Sequence, residues 1–422
     1  MHDPGGCAAV SFAIRLSRRF LPAGAEPAAW IILASRGLRG FCDGFIAVLL
    51  PAYLLSLGFA QVHVGLISTA TLMGSAFATI AVGMVASRVP HRRMLTLAAA
   101  LMTATGIGFA SLSTLWPLLV VAFIGTLNPS SGDVSLFLPL EQARLAEAAT
   151  GGARTALFAR YSLVGAISAA LGSLAAGVPL WLASHTGISR LAAMRAMFLV
   201  YAVIGATICV LYGRLPRTGT RTVTATRSLG PSRHIVARLA LLFSVDAFAG
   251  GLVVNSLLSL WLMQRFSLSI GATGQFFFWA GLLNAGSQLV AAPLSRKIGL
   301  LNTMVFTHIP SSLCLIGAAF APSLPVTLTL LLVRSALSQM DVPTRTSYVM
   351  AVVTPAERPA AASFTSVPRS LAAAIAPTLA GGLFGLGWLG APLVACGTLK
   401  IAYDLSLLAA FRHINPDEGS GP

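Results

Sequence analysis

Twelve stretches of this chain are apolar over about 20 residues, the length a helix needs to cross the hydrocarbon of a bilayer. They lie near 34–57, 64–86, 94–115, 117–139, 156–179, 192–213, 239–262, 270–294, 302–321, 325–349, 363–386 and 391–411. Their length and the lack of polar–apolar alternation exclude membrane strands. A water-soluble domain carries about 25% charged residues, whereas this chain has 9%, with 56% hydrophobic residues and a mean hydropathy of +0.82. The expected class is therefore an all-α membrane protein with twelve transmembrane helices. Gly and Pro inside the runs agree with this, because neighbouring helices in a bilayer accommodate them.

The formal net charge is +16. Lys and Arg sit in short segments between apolar runs and form no aromatic–basic stripe, so membrane topology accounts for the charge and a nucleic-acid partner is not expected. Arg15, Arg18, Arg19, Arg36 and Arg39 precede or open the first run; Arg88, Arg92 and Arg93 follow the second. Arg144 and Arg154 lie between the fourth and fifth, and Arg214 to Arg238 follow the sixth. Arg296 and Lys297 follow the eighth, while the opposite connections hold only Arg190, Arg195 and Arg265. By the positive-inside rule both termini and the central linker are expected in the cytoplasm, in a multi-pass inner-membrane protein. The N-terminal segment has no apolar core of signal-peptide length and reads as a basic tail. Cys7, Cys42, Cys209, Cys314 and Cys396 are too dispersed for metal-ligand spacing, so no metal and no disulfide framework is expected.

The segment 213–234 is long, polar and rich in Arg, Thr, Ser, Gly and Pro, and it separates six runs from six. The expected division is a tail over 1–30, a six-helix bundle over 31–213, a linker over 214–235, a second bundle over 236–411 and a tail over 412–422. The halves echo each other. Asp43 in run one and Asp133 in run four are 90 residues apart; Asp246 in run seven and Asp341 in run ten are 95 apart. Ser87-Arg88 closes run two and Ser295-Arg296 closes run eight. Parallel repeats of this kind occur in secondary transporters.

Six runs plus six around a basic linker resemble the major facilitator superfamily. Gly83-Met84-Val85-Ala86-Ser87-Arg88-Val89-Pro90-His91-Arg92-Arg93 resembles that family's signature after span two, with Ser87 where Asp is usual and Pro90-His91 where Gly-Arg is usual. Ser295-Arg296-Lys297-Ile298-Gly299 is a degenerate second copy. The resemblance implies two pseudo-symmetric six-helix bundles and movement of small solutes by alternating access, with spans one, four, seven and ten lining a central cavity. It also implies a cytoplasmic gate in which Arg88, Arg92 and Arg93 meet Glu141 at the end of span four and Arg369 on span eleven, with Arg296 in the second copy.

An ionisable side chain at membrane depth costs roughly 2.5–3.5 kcal/mol on insertion scales, so such groups face protein or a watery path. Asp43, Asp133, Asp246 and Asp341 fall on the four cavity spans and are candidates for binding protons or substrate. Asp43 with Arg39, and Asp341 with Arg345, are also spaced to pair along one helix. Arg334, deep in span ten, is a candidate for holding an anionic substrate or clamping an acid. Asn255 and Gln339 are polar candidates on cavity spans. Lys400 and Asp404, four residues apart in span twelve, read as a self-neutralising pair, and His308 beside Pro310 as a structural histidine. Phe276-Phe277-Phe278-Trp279 reads as an interfacial aromatic belt. No phosphate-cradling loop supports ATP drive and no catalytic constellation supports an enzyme. The expected function is secondary transport of a small molecule by a monomer without cofactors, with proton-driven export of a drug-like compound or metabolite preferred. Uptake, or a sensor or scaffold that keeps the fold, are the alternatives.

Overall fold

The computed structural model describes residues 21–85, 89–130, 135–216, 230, 232–354 and 357–412. Asp133, Arg88, most of the linker and most of both tails lie outside the described residues. Among the described residues there are sixteen helices. The first bundle holds α1 (Ala29–Ser56), α2 (Gln61–Val85), α3 (His91–Ser111), α4 (Leu115–Ile124), α5 (Phe137–Ala148), α6 (Gly151–Ala175), α7 (Val178–Thr186) and α8 (Arg190–Gly213). The second holds α9 (Arg233–Gly251), α10 (Asn255–Phe266), α11 (Ile270–Ile298), α12 (Leu300–Phe320), α13 (Leu324–Leu337), α14 (Asp341–Ala351), α15 (Arg358–Gly385) and α16 (Ala391–Phe411).

These helices make twelve crossings, because spans four (α4, α5), five (α6, α7), seven (α9, α10) and ten (α13, α14) are interrupted. Each span begins within six residues of the expected point. The expected end of span four is corrected: α5 runs to Ala148, so Arg144 is helical and buried rather than part of a connection. Among the described residues nine stretches are long and apolar enough to cross a membrane. The other three are spans four and ten, which are broken, and span eight, whose helix carries Asn284, Ser287 and Gln288.

The breaks have local causes. In span four Pro129 has no N–H and disfavours helix at the residue before it. There the Asn128 carbonyl accepts from the Ser130 N–H at 3.2 Å and from the Ser130 hydroxyl at 2.8 Å, a side-chain turn that competes with helix. In span ten Pro343 sits in the first turn of α14, where its missing N–H costs nothing. Asp341 opens that helix, an acid at the positive end of the dipole. Ser189 and Ser269 cap α8 and α11 by accepting from Ala192 N–H at 3.2 Å and Ala272 N–H at 3.1 Å.

In lipid, helices associate through close packing of small residues rather than by escaping water. Helix α1 lies along α6. Gly40 and Gly44 face the backbones of Gly165 and Ala169, and Gly172 faces the backbone of Phe41. The second bundle repeats the arrangement with α9 along α15, where Gly251 faces Ala373. The outer surface is correspondingly apolar, with Leu97, Val203, Leu241 and Phe320 exposed. Trp116, Trp181 and Trp388 are exposed at the ends of helices away from the linker, as interfacial anchors are. The reading of Phe276 to Trp279 as a belt is corrected in part: Phe276 and Phe277 are buried, Phe278 is half-buried and only Trp279 of the four is exposed.

The bundles meet on the face away from the linker, through α2 with α15 and α6 with α11. Gly65 lies against Pro377 and Gly381, Gly274 against Ser173, and Gly177 against Gly271. Hydroxyls join the same region: Ser68 with Ser256 at 3.2 Å, Thr378 with Thr69 at 2.8 Å, and Ser259 with the Val48 carbonyl at 3.3 Å. Toward the linker face the same four helices present exposed Met84, Leu163, Ile167, Ile298 and Phe364. A Cβ at Gly83 or Gly286 would meet nothing within 4 Å there. The close glycine contacts between the bundles gather on the far face.

Glu357, just before α15, holds the end of the linker. Its carboxylate accepts from the Gly230 N–H at 2.6 Å, the Ser232 hydroxyl at 2.8 Å and the Thr354 hydroxyl at 2.7 Å. These bonds, led by those from Thr354 and Ser232, lower its pKa from the ordinary 4.5 to about 2. A depressed acid contributes stability above its unfolded pKa and loses it as pH falls through the folded one. Amide exchange at Gly230 is therefore expected to be faster in Glu357→Gln than in the unsubstituted protein at neutral pH. The difference should shrink as pH falls through about 2, where the native carboxyl also loses its charge; equal exchange at neutral pH overturns this reading.

Candidate functional site

Two buried polar clusters lie in the bundles. In the first bundle α1 carries Arg39 inward and α5 carries Glu141; both are buried and form an ion pair. The other ligands of Glu141 come from α6 and α8: the Tyr161 hydroxyl donates at 2.6 Å and the Tyr212 hydroxyl donates to the second oxygen. The Arg39 guanidinium also lies 4.2 Å from the centre of the Phe137 ring, where the ring face attracts a cation. Asp43, one turn beyond Arg39, has Arg39, Arg36 and Asn128 as polar neighbours. The 161 and 212 tyrosines escape sequence reasoning, because a hydroxyl on an apolar helix shows no sign of the acid it faces.

In the second bundle five helices contribute to one chain of charges. Asp246 from α9 accepts from the Lys400 amine of α16 at 2.6 Å. Its other oxygen is 3.5 Å from Arg345 of α14, which also pairs with Asp341. His308 from α12 lies between the two acids of its neighbours. Its Nδ1 is 3.0 Å from Asp404 and its Nε2 is 3.2 Å from the Lys400 amine. Arg369 of α15 adds a positive charge near Asp246. Asp246, Asp341, Asp404, His308 and Arg345 are all buried. The reading of Lys400 and Asp404 as each other's partner is corrected: each turns to a different helix, Lys400 to α9 and Asp404 to α12.

Arg334 stands apart, half-buried on α13. Its ionisable neighbours are Cys314 and Cys396, and among the described residues no ion pair engages it. Gln339 lies in the break between α13 and α14, and Asn255 opens α10; both are half-buried.

A family model, the Major Facilitator Superfamily, matches residues 32–340, most of the chain. The chain belongs to the major facilitator superfamily. An uncharacterized membrane protein of Saccharomyces cerevisiae, YJR124C, is 24% identical over 91% of this chain and 94% of its own. The nucleoside transporter NupG superposes with a TM-score of 0.69 at 14% identity, over 92% of this chain and 99% of that one. The xylose transporter XylE from E. coli, in an inward open conformation, superposes with a TM-score of 0.70 at 15% identity, over 92% and 98%. The superfamily fold is that of two six-helix bundles.

Within that fold the expected gate is redistributed. Glu141 has both oxygens taken by Arg39, Tyr161 and Tyr212 inside its own bundle, so it is no open partner for Arg92 and Arg93. Arg92 is half-buried, and Arg93 and Arg296 are exposed, at the linker-side ends of α3 and α11. Arg369 is drawn to the Asp246 cluster. The ion pairs of Arg39, Lys400 and Arg345 each lie within one bundle, and Arg144 pairs with Glu26 just before α1.

Proposed function

We propose that this superfamily member is a secondary transporter that exports a small molecule by alternating access, in exchange for protons. The linker and both termini are cytoplasmic in this reading, the bundles are divided by the linker over 214–235, and the protein acts as a monomer in the inner membrane. The observation that carries it is the small-residue seal between the bundles on the far face, with open space beside Gly83 and Gly286 toward the linker face. Charges at membrane depth support it, because they are costly unless they border an aqueous path. Asp246 and Asp341 are the proton-handling acids of the second bundle, with Asp43 and Asp133 their counterparts in the first. Arg334, with cysteines rather than acids beside it, takes an anionic group of the substrate, and Asn255 and Gln339 give polar contacts.

Vesicles reconstituted with the protein test this. An imposed pH gradient is expected to drive flux of candidate cargoes, and flux indifferent to the gradient removes the proton coupling. Arg334→Ala or Asp246→Asn is expected to reduce flux at least about 100-fold, the effect of losing a charge-assisted contact worth roughly 3 kcal/mol, with membrane expression retained. Normal flux in both variants removes the site assignment.

A further inference from the structure

The ring of His308 is held by two contacts that fix its protonation. A protonated Lys amine has three donors and no acceptor, so the nitrogen facing it must accept. The Lys400 amine sits 3.2 Å from Nε2 and 2.6 Å from the Asp246 oxygen, and that second contact keeps it charged. Nε2 is therefore bare and the ring proton is on Nδ1, donated to Asp404 at 3.0 Å. The ring is neutral in this arrangement. The charges around it agree: Asp404, Asp246 and Asp341 are matched by Lys400, Arg345 and Arg369.

Nε2 has one lone pair. It can accept from Lys400 or bind a proton, but not both. Once protonated it becomes a donor, and the Asp246 oxygen that now accepts from Lys400 lies 3.9 Å away. We propose that His308, backed by Asp404, is a proton-binding switch in which a proton and Lys400 compete for Nε2 and for Asp246. The proton comes from water and adds one positive charge to a buried, balanced cluster, so Lys400 is expelled by repulsion as His308 takes its place. The result exchanges an α9–α16 contact for an α9–α12 contact. Unspent donors are at hand for the rearranged state: the Tyr403 hydroxyl and Arg345 Nε are buried with no hydrogen-bond partner among the described residues. The Tyr403 ring lies edge-on to the His308 ring at 6.2 Å.

The switch rests on the transporter reading for its purpose, but its proton binding is measurable without any cargo. The full chain labelled with 15N-histidine, in lipid nanodiscs, gives ring-nitrogen spectra in which His308→Gln identifies the signals among seven histidines. At about pH 7.5 one bare and one protonated nitrogen are expected; at about pH 5 the bare-nitrogen signal should vanish as the proton displaces Lys400 from Nε2. In Lys400→Met the bare nitrogen should already be missing at about pH 7.5, because the competing cation is gone. Should that variant fail to fold, Asp404→Asn serves: without the carboxylate behind it the ring should keep its bare nitrogen at about pH 5. Two protons on the ring in the unsubstituted protein at the higher pH, or a bare nitrogen that survives in Lys400→Met, overturns the switch. Gradient-driven flux alongside those results would leave the transporter reading standing. The expected spectra without flux would overturn that reading instead.

Discussion

Replacing Glu141 with glutamine is expected to destabilise the protein by roughly 3–5 kcal/mol, the cost of stranding one partner of a buried ion pair. Glu141 is fully buried and serves three donors, Arg39, Tyr161 and Tyr212. A glutamine keeps one carbonyl oxygen for Arg39 and Tyr161, its amide turns to the Tyr212 hydroxyl, and the guanidinium loses its counter-charge. The knot joins α1, α5, α6 and α8, so its loss loosens the linker-side end of the whole first bundle. Thermal unfolding in detergent should show a fall on the order of 10 °C, taking a few degrees per kcal/mol for a unit of this size. Asp43 sits one turn from Arg39 and can take up part of the stranded charge, which places the effect toward the lower end. The double variant Arg39→Met with Glu141→Met removes both charges and should recover most of the loss, because an apolar pair of similar size often matches a buried ion pair. A single variant as stable as the parent, or a double variant worse than the single, would show that the pair is not what holds these helices.

The contrast between Glu141 and Lys400 shows how far the sequence can be read. The spans were legible because a bilayer demands a length and an apolar composition that few other contexts demand, and α1, α3, α8, α12 and α16 begin within a few residues of the apolar runs. The interruptions at Asn128–Pro129 and at Ser338–Met340 were not, because a few polar residues flanked by apolar runs fit a continuous span with cavity-facing groups equally well. Charges at depth could be found but only partly paired: Arg345 does meet Asp341 four residues away, as the spacing allows. Lys400 and Asp404 satisfy the four-residue rule on one helix, yet α16 is wedged against both α9 and α12, and each side chain finds a closer partner across the gap. Glu141 was placed at the gate by its position after span four. It pairs instead with an arginine 102 residues away, a contact no local pattern encodes.

These clusters fit a division of labour between parts that stay fixed and parts that move. Both lie inside a bundle, where helices pack backbone to backbone at glycine. The surfaces between bundles carry hydroxyls and small residues, whose bonds can be broken without stranding a charge. A rocking transporter needs rigid halves and an interface that separates at low cost, and charges buried between the halves would oppose that separation.

Gly65→Val is expected to shift the protein away from the closed far face. A Cβ at Gly65 would run into the Pro377 carbonyl and approach Gly381 at 3.1 Å, and those are backbone atoms that cannot turn aside. Overpacking of this kind costs roughly 1–3 kcal/mol, and the cost falls only on the state in which α2 and α15 touch. The ratio of far-face-closed to far-face-open molecules should therefore drop roughly 5- to 150-fold. Spin labels at the far-face ends of α2 and α15 would show this as growth of a longer-distance population. Gly382→Val is the control, since it lies next to Gly381 on the same helix and its Cβ would meet nothing within 4 Å. Gly83→Val carries the opposite expectation: its Cβ has open space in this state, and any clash would arise only when the linker face closes. An unchanged distance distribution in Gly65→Val, or the same shift in Gly382→Val, would mean that the far-face contact is not the seal of this state.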